Sequence, residues 1–165
     1  MSQESPQQKV GRFMIGVGCI MEHLPTGKIL CLKRESSDFQ KGEWELMYGR
    51  IDQHEELFTA LRREVGEETG LREFQIHRLL RLWHLYRGGR SAETEIHGFT
   101  FHCTTTDQHV ELSSEHSAFA WLDPEDAFQR ISVPGIKLDV QFFMEHKQDL
   151  QVTFSGIEQT IIHMV

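Results

Sequence analysis

The chain has 165 residues, with 25 acidic against 17 basic side chains and a formal net charge of −8. That length suits one domain with a real core, whereas the charge balance excludes general affinity for a nucleic-acid polymer, which needs dense Lys and Arg to replace counterions. No stretch approaches the apolar length of a membrane span and no signal peptide is present, so the expected location is the cytoplasm, away from membranes.

Residues 1–8 are polar and read as a loose N-terminus ahead of a domain spanning 9–150. Two short apolar runs, 13–21 and 28–33, flank a turn at Pro25 and Gly27 and predict a hairpin. Trp44, Leu46 and Tyr48 then alternate toward one face. Beyond them, the segment 49–71 places Glu64, Glu67 and Glu68 within about one helical turn, beside Arg63 and between two glycines. At 100° per residue, Leu57, Ala60, Leu61 and Val65 mark a buried stripe. Measured from Leu57, Glu64 and Glu68 fall at roughly −20° and +20°, Glu67 near −80° and Arg63 near −120°.

Two carboxylates therefore project into an apolar stripe where solubility would have placed them on the opposite face. At about 5 Å apart they repel by roughly 3 kcal/mol at an effective dielectric near 20, before any desolvation cost. A bound divalent cation reverses both penalties. An all-oxygen donor set suits a hard ion, so Mg²⁺ is favoured, Mn²⁺ is possible and zinc is not expected. Asp52 followed by Glu55 has the layout of a capping box, and Gly70 sits where a helix stops in the left-handed conformation.

The pattern Gly49, five residues, Glu55, seven residues, Arg63-Glu64-Val65, one residue, Glu67-Glu68, one residue, Gly70-Leu71 resembles a complete Nudix box. Seven identities and two aliphatic positions arise by chance on the order of once in ten billion start sites. Trp44 ahead of the box and Trp121 after it also resemble family positions, while Arg50 replaces the second glycine that many members carry. The resemblance implies an α/β fold, the Nudix-type α/β/α sandwich with a mixed sheet between helices.

After the box, 74–82 and 96–104 read as strands, the second with Phe99, Phe101 and Cys103 alternating, and 118–122 as another. Asp123-Pro124-Glu125 starts a short helix, and Ile136, Val140 and Phe143 mark a final amphipathic one. Two helices are expected to cover opposite faces of the sheet. The tail 151–165 contains Ile161, Ile162 and Val165 and is read as packing back or meeting a partner, with a homodimer as one outcome. Cys19, Cys31 and Cys103 lie in apolar runs and read as reduced core residues, and the ten histidines show no zinc-binding spacing.

By resemblance, Glu64, Glu67 and Glu68 bind metal, the Gly49 carbonyl is a further ligand, and Glu55 braces the loop. Arg63 points off the metal-facing stripe and is expected to orient a box glutamate. Glu115, in a polar loop before a strand, is the candidate for an additional ligand or general base, with Glu64 as the alternative base and His116 beside it. The implied activity is Mg²⁺-dependent hydrolysis of a diphosphate linkage in a nucleotide-like small molecule, such as a nucleoside triphosphate or a nucleotide sugar. Arg34, Arg50, Arg87 and Arg90 are candidates for phosphate contact, and Trp44, Trp83, Tyr86 and Phe39 for base stacking. The proline that marks typical ADP-ribose hydrolases is missing, since no proline lies between Pro25 and Pro124. A ligand-sensing module without turnover and an isopentenyl-diphosphate isomerase relative are the competing readings; such modules usually have eroded boxes, and this box is intact.

Overall fold

The computed structural model describes residues 11–35 and 41–146. The expectations for residues 1–8, for Phe39 and for the tail at 151–165 lie outside the described residues.

The first hairpin forms as its turn residues dictate: β1 (Met14–His23) and β2 (Lys28–Arg34) pair antiparallel at Glu22↔Ile29 and His23↔Lys28. Beyond that point the two strands part. The segment after them crosses the gap as two short strands, β3 (Trp44–Glu45) on β2 and β4 (Met47–Arg50) on β1, with Leu46 as the break. The alternation of Trp44, Leu46 and Tyr48 survives the break, since all three pack on one side of the sheet.

The sheet is mixed because β1 pairs in parallel with β6 (Glu95–Thr105), which pairs antiparallel with β5 (Gln75–Tyr86), while β7 (His116–Leu122) closes the far edge on β2. Strand β5 runs four residues past the apolar run that suggested it, because Trp83 to Tyr86 continue the ladder onto β6 although their side chains are polar or partly exposed.

Among the described residues three helices cover the sheet, one on one face and two on the other. Helix α1 (Leu57–Thr69) buries Ala60, Leu61 and Val65 against Val17, Met21, Leu30, Leu32, Met47 and Phe101. Helices α2 (Pro124–Arg130) and α3 (Pro134–Glu145) share the other face, where Ile136, Val140 and Phe143 pack with Ile20, Ile29, Cys31 and Leu46. Each such fully buried Leu, Ile or Phe contributes about 1.5–3 kcal/mol. All three cysteines are buried and free. Among the described residues no helix is long and apolar enough to cross a membrane.

On the α2/α3 face the central strands are kept bare by glycine under the Trp83 ring. Gly98 is the cross-strand partner of Trp83, and Gly16 is the partner of Gly98 one strand further in. The indole lies across both: a Cβ at Gly16 would come within 2.6 Å of Trp83 Cη2, and one at Gly98 would overlap the ring. Gly18 clears the same kind of lane for Tyr48, whose ring meets Trp83 edge-on at 6.1 Å. Gly98→Ala is therefore expected to lower unfolding stability by about 1–3 kcal/mol, the usual overpacking cost, and to shift Trp83 fluorescence. Unchanged denaturation midpoint and emission would refute this packing.

Candidate active site

The helix that carries the carboxylates starts at Leu57, later than the capping-box layout suggests. Asp52 N–H donates to Glu55 Oε2 at 3.0 Å and Glu55 N–H to the Asp52 carbonyl at 3.0 Å, so the pair closes a turn ahead of the helix. Glu56 is the N-cap and makes no side-chain capping bond. At the other end Gly70 adopts φ 72° and donates to the Gly66 carbonyl, the left-handed stop expected of it.

The loop that follows β6 satisfies the carbonyls left free at that end. Glu111 N–H bonds the Thr69 carbonyl at 2.8 Å and Ser113 N–H the Glu68 carbonyl at 3.3 Å. Glu35 N–H in turn bonds the Glu115 carbonyl at 2.8 Å, so the loop that bears Glu115 is tied both to the carboxylate end of α1 and to the end of β2.

Arg63 organises the strand side of the helix. Its Nε and Nη2 grip Glu55 Oε1 and Oε2, both at 2.8 Å, while Nη1 bonds Glu64 Oε1 at 2.9 Å and Glu67 Oε2 at 3.2 Å. Nη2 also donates to the Arg50 carbonyl at 2.9 Å, and the Arg50 N–H returns to Glu64 Oε1 at 3.0 Å. This bidentate hydrogen bonding from Arg63, helped by the Asp52 N–H, holds the Glu55 carboxyl down at about 2. The sequence placed Arg63 as an orienting group, and its contacts are all with the box and its loop.

Glu68 has the opposite environment. It is buried, and its Oε2 has no hydrogen-bond partner. Burial pushes its pKa well up, and the charges of Glu45, Glu64 and Glu115 push in the same direction. An orphaned buried carboxylate oxygen ringed by further carboxylates is a donor set that a hard divalent cation fits. Glu64 is half-buried and Glu67 exposed. Gly49 lies directly against Glu64: any Cβ there would overlap the glutamate side chain, so the close approach of loop and helix demands glycine.

One cleft of about 890 Å³ takes in Gly49, Arg63, Glu64, Glu67, Glu68 and Glu115, and with them Arg34, Arg50 and Arg87. Arg90, by contrast, stacks on Tyr86 at 5.4 Å, and neither lines the cleft. Trp44, a substrate candidate from sequence, is also not among the lining residues: it packs in the α2/α3 core under the Arg130 guanidinium at 5.1 Å. Strand parity explains this, since Trp44 shares a face with Leu46 and Tyr48.

The same parity turns Glu45 to the carboxylate side, a residue that sequence reasoning missed. Glu45 Oε1 accepts from Arg34 Nη1 at 2.7 Å and lies 3.0 Å from His116 Nε2. Arg34 Nη2 reaches Glu115 Oε2 at 3.7 Å, so both candidate carboxylates outside the helix share one arginine. His116 itself is the buried first residue of β7 and not a loop histidine. On the opposite wall, Asp139 is buried and accepts from Tyr48 OH, from Thr100 Oγ1 at 2.9 Å and from Arg81. Its place in the stripe Ile136, Asp139, Val140, Phe143 is the same anomaly that exposed Glu64 and Glu68, an acid among core positions. Trp83 donates to Thr100 Oγ1 at 3.1 Å and lines the cleft beside this network.

The cysteines are outside this chemistry, since burial raises the Cys31 thiol to about 12 and a hydrogen bond with Cys103 followed by burial raises Cys19 well above its usual value. No histidine spacing in the sequence suggests a metal site, and among the described residues the fold adds one grouping. Strand pairing brings His84 and His97 together with Glu95, a grouping that no sequence spacing displays.

A family model described as the NUDIX domain matches residues 12–139. Among curated proteins, an octanoyltransferase of Myxococcus xanthus is 28% identical over 130 residues, which are 77% of this chain but only 35% of that protein. The chain thus spans about a third of that relative's length. A nucleoside triphosphatase, NudI of Escherichia coli, is 29% identical over 106 residues, covering 59% of this chain and 74% of that one. Among solved structures, a MutT protein of Methanosarcina mazei superposes with a TM-score of 0.69 at 22% identity, over 86% of this chain and 100% of the other.

Because Arg63 is the first cause of the depressed Glu55 value, Arg63→Ala is expected to return that carboxyl toward the ordinary glutamate range. The linkage runs in one direction: a folded pKa below the unfolded one stabilises the fold above the unfolded value, and that contribution disappears as pH falls toward about 2. NMR titration of the Glu55 side-chain carboxyl, wild type against Arg63→Ala, reads the change; an unmoved value in the variant would contradict it.

Proposed function

The chain belongs to the Nudix hydrolase family, and on that premise we propose that it cleaves a diphosphate linkage in a nucleoside diphosphate derivative, with nucleoside triphosphates and nucleotide sugars as the leading substrates and Mg²⁺ as the ion. The observation that carries this reading is the buried, unpartnered Oε2 of Glu68 at the wall of a cleft that also holds Glu64, Glu67 and Glu115. The nucleoside triphosphatase activity in the name of the Escherichia coli relative supports the substrate class.

Glu64, Glu67 and Glu68 would hold the ion, with the Gly49 carbonyl and Glu115 as further ligands. When bound, a divalent cation supplies charge neutralisation at the phosphoryl oxygens and an acidified water. Glu64 is prepared for such a role because its Oε1 already accepts from Arg63 and from the Arg50 N–H, which holds the carboxylate in place and leaves Oε2 available. In the reaction a water oxygen bonds to phosphorus and the bridging P–O bond breaks. Its electron pair leaves on the departing phosphate, and the water proton passes to a carboxylate, Glu64 or Glu115.

Arg34, Arg50 and Arg87 border the same cleft, which supports them as the candidates for contact with phosphate oxygens, Arg34 while also held by Glu45 and Glu115. Trp83 offers an aromatic surface for the base, its ring backed by Gly16 and Gly98.

The test is release of phosphate or pyrophosphate with Mg²⁺ across nucleoside triphosphates, oxidised nucleotides, nucleotide sugars, ADP-ribose and dinucleoside polyphosphates. Glu67→Gln and Glu68→Gln are each expected to abolish turnover in a folded protein, with the metal-free melting temperature of Glu68→Gln equal to or above that of the wild type, because a buried repelled charge is gone. Full activity in both variants would defeat the reading. Substrate binding without turnover in the wild type would favour the sensing module.

A further inference from the structure

The hairpin of β5 and β6 carries a donor cluster that the glutamate site does not use. His84 and His97 are cross-strand partners, so their side chains leave the same face of the ladder, and Glu95, two residues before His97, leaves it too. The imidazoles stack with centroids 4.4 Å apart and planes 15° from parallel. Glu95 Oε1 lies 2.9 Å from His84 Nε2 and 3.6 Å from His97 Nε2. One ligand atom from each of the three side chains falls within 4.8 Å of the others.

We propose that His84, Glu95 and His97 form a binding site for a late first-row divalent metal ion, with Zn²⁺ as its representative. Two imidazole nitrogens and one carboxylate oxygen suit such an ion and do not suit Mg²⁺, which takes oxygen donors. Ligand atoms on one tetrahedral zinc stand about 3.3 Å apart, from Zn–N bonds of about 2.0–2.1 Å, so the three ligand atoms would draw together on binding. Neighbouring rings support both imidazoles: Phe13 meets His97 edge-on at 4.7 Å and Tyr86 meets His84 edge-on at 5.2 Å.

A surface pairing of histidine with glutamate needs one imidazole. Here two converge on a single carboxylate oxygen, and if both carried a proton charge the stacked rings would repel. As neutral ligands they would be drawn together by a shared cation. Both imidazoles are partly exposed, so an ion can enter from solvent. Three protein ligands leave a coordination position open, and His84 lines the cleft, so the ion would sit at the cleft wall.

The test is calorimetric titration of Zn²⁺ into the chelator-stripped full chain in excess Mg²⁺, with imidazole NMR of His84 and His97 as the site readout. The expected result is one equivalent of Zn²⁺ that perturbs both rings, bound roughly tenfold or more weakly in His84→Ala and in His97→Ala, and unaltered in Glu68→Gln. Glu95→Gln, which preserves shape and removes charge, weakens binding if either histidine variant misfolds. No Zn²⁺ uptake by the wild type, uptake unchanged in a folded histidine or Glu95 variant, or uptake lost in Glu68→Gln would each overturn the proposal. The glutamate-site reaction is read separately, so failure of one leaves the other standing.

Discussion

The five N–H donors of the Arg63 guanidinium meet the two oxygens of Glu55, the carboxylates of Glu64 and Glu67, and the carbonyl of Arg50. That single planar group joins the turn before α1, the helix itself and the end of β4, and the bond from the Arg50 N–H to Glu64 Oε1 adds a second tie between β4 and the helix. A lysine could neutralise the charge but could not span this fork, because a point charge lacks the bidentate geometry. Gly49 completes the arrangement by letting β4 close on Glu64 with no side chain between them. Positional order in the acidic cluster follows from these two residues, and Glu68 is then free to be the member that faces the interior without a partner.

Burying Glu68 works against folding and in favour of binding. In the absence of a cation its carboxylate is desolvated and repelled by three neighbours, a cost the apolar stripe of α1 must offset through Ala60, Leu61 and Val65. The same arrangement becomes favourable once positive charge arrives. The opposite wall of the cleft obeys a different rule: Asp139 is buried too, yet Tyr48, Thr100 and Arg81 all donate to it, so it is satisfied within the protein and ties α3 to the sheet. Among the described residues three buried acids thus face one cleft, Asp139 and Glu45 internally paired and Glu68 left open.

The cleft exists because the sheet is not a single continuous surface at this end. β1 and β2 separate beyond their hairpin, β3 and β4 bridge the gap, and the glycine lane under Trp83 keeps the central strands bare. Elements on both faces consequently reach a common opening, with the carboxylates of the box arriving from α1, Arg81 and Trp83 from β5, and Ile136, Leu138 and Asp139 from the start of α3.

Helical period and residue type alone determined the carboxylate cluster: Glu64 and Glu68 stand out because a 3.6-residue repeat puts charges where core residues belong, and local spacing carries that information in full. Gly70 as a helix stop and Arg63 as an orienting group were legible for the same reason, each depending on neighbours within a few turns. What depended on pairing between distant segments was decided only by the tertiary structure. The face of Trp44 and of Glu45 follows from a strand that switches partners at Leu46, the meeting of Asp139 with Tyr48 and Arg81 spans most of the chain, and His84 finds His97 through the register of β5 on β6. Long-range register is set by how whole faces bury against each other, and no local stretch of sequence contains it.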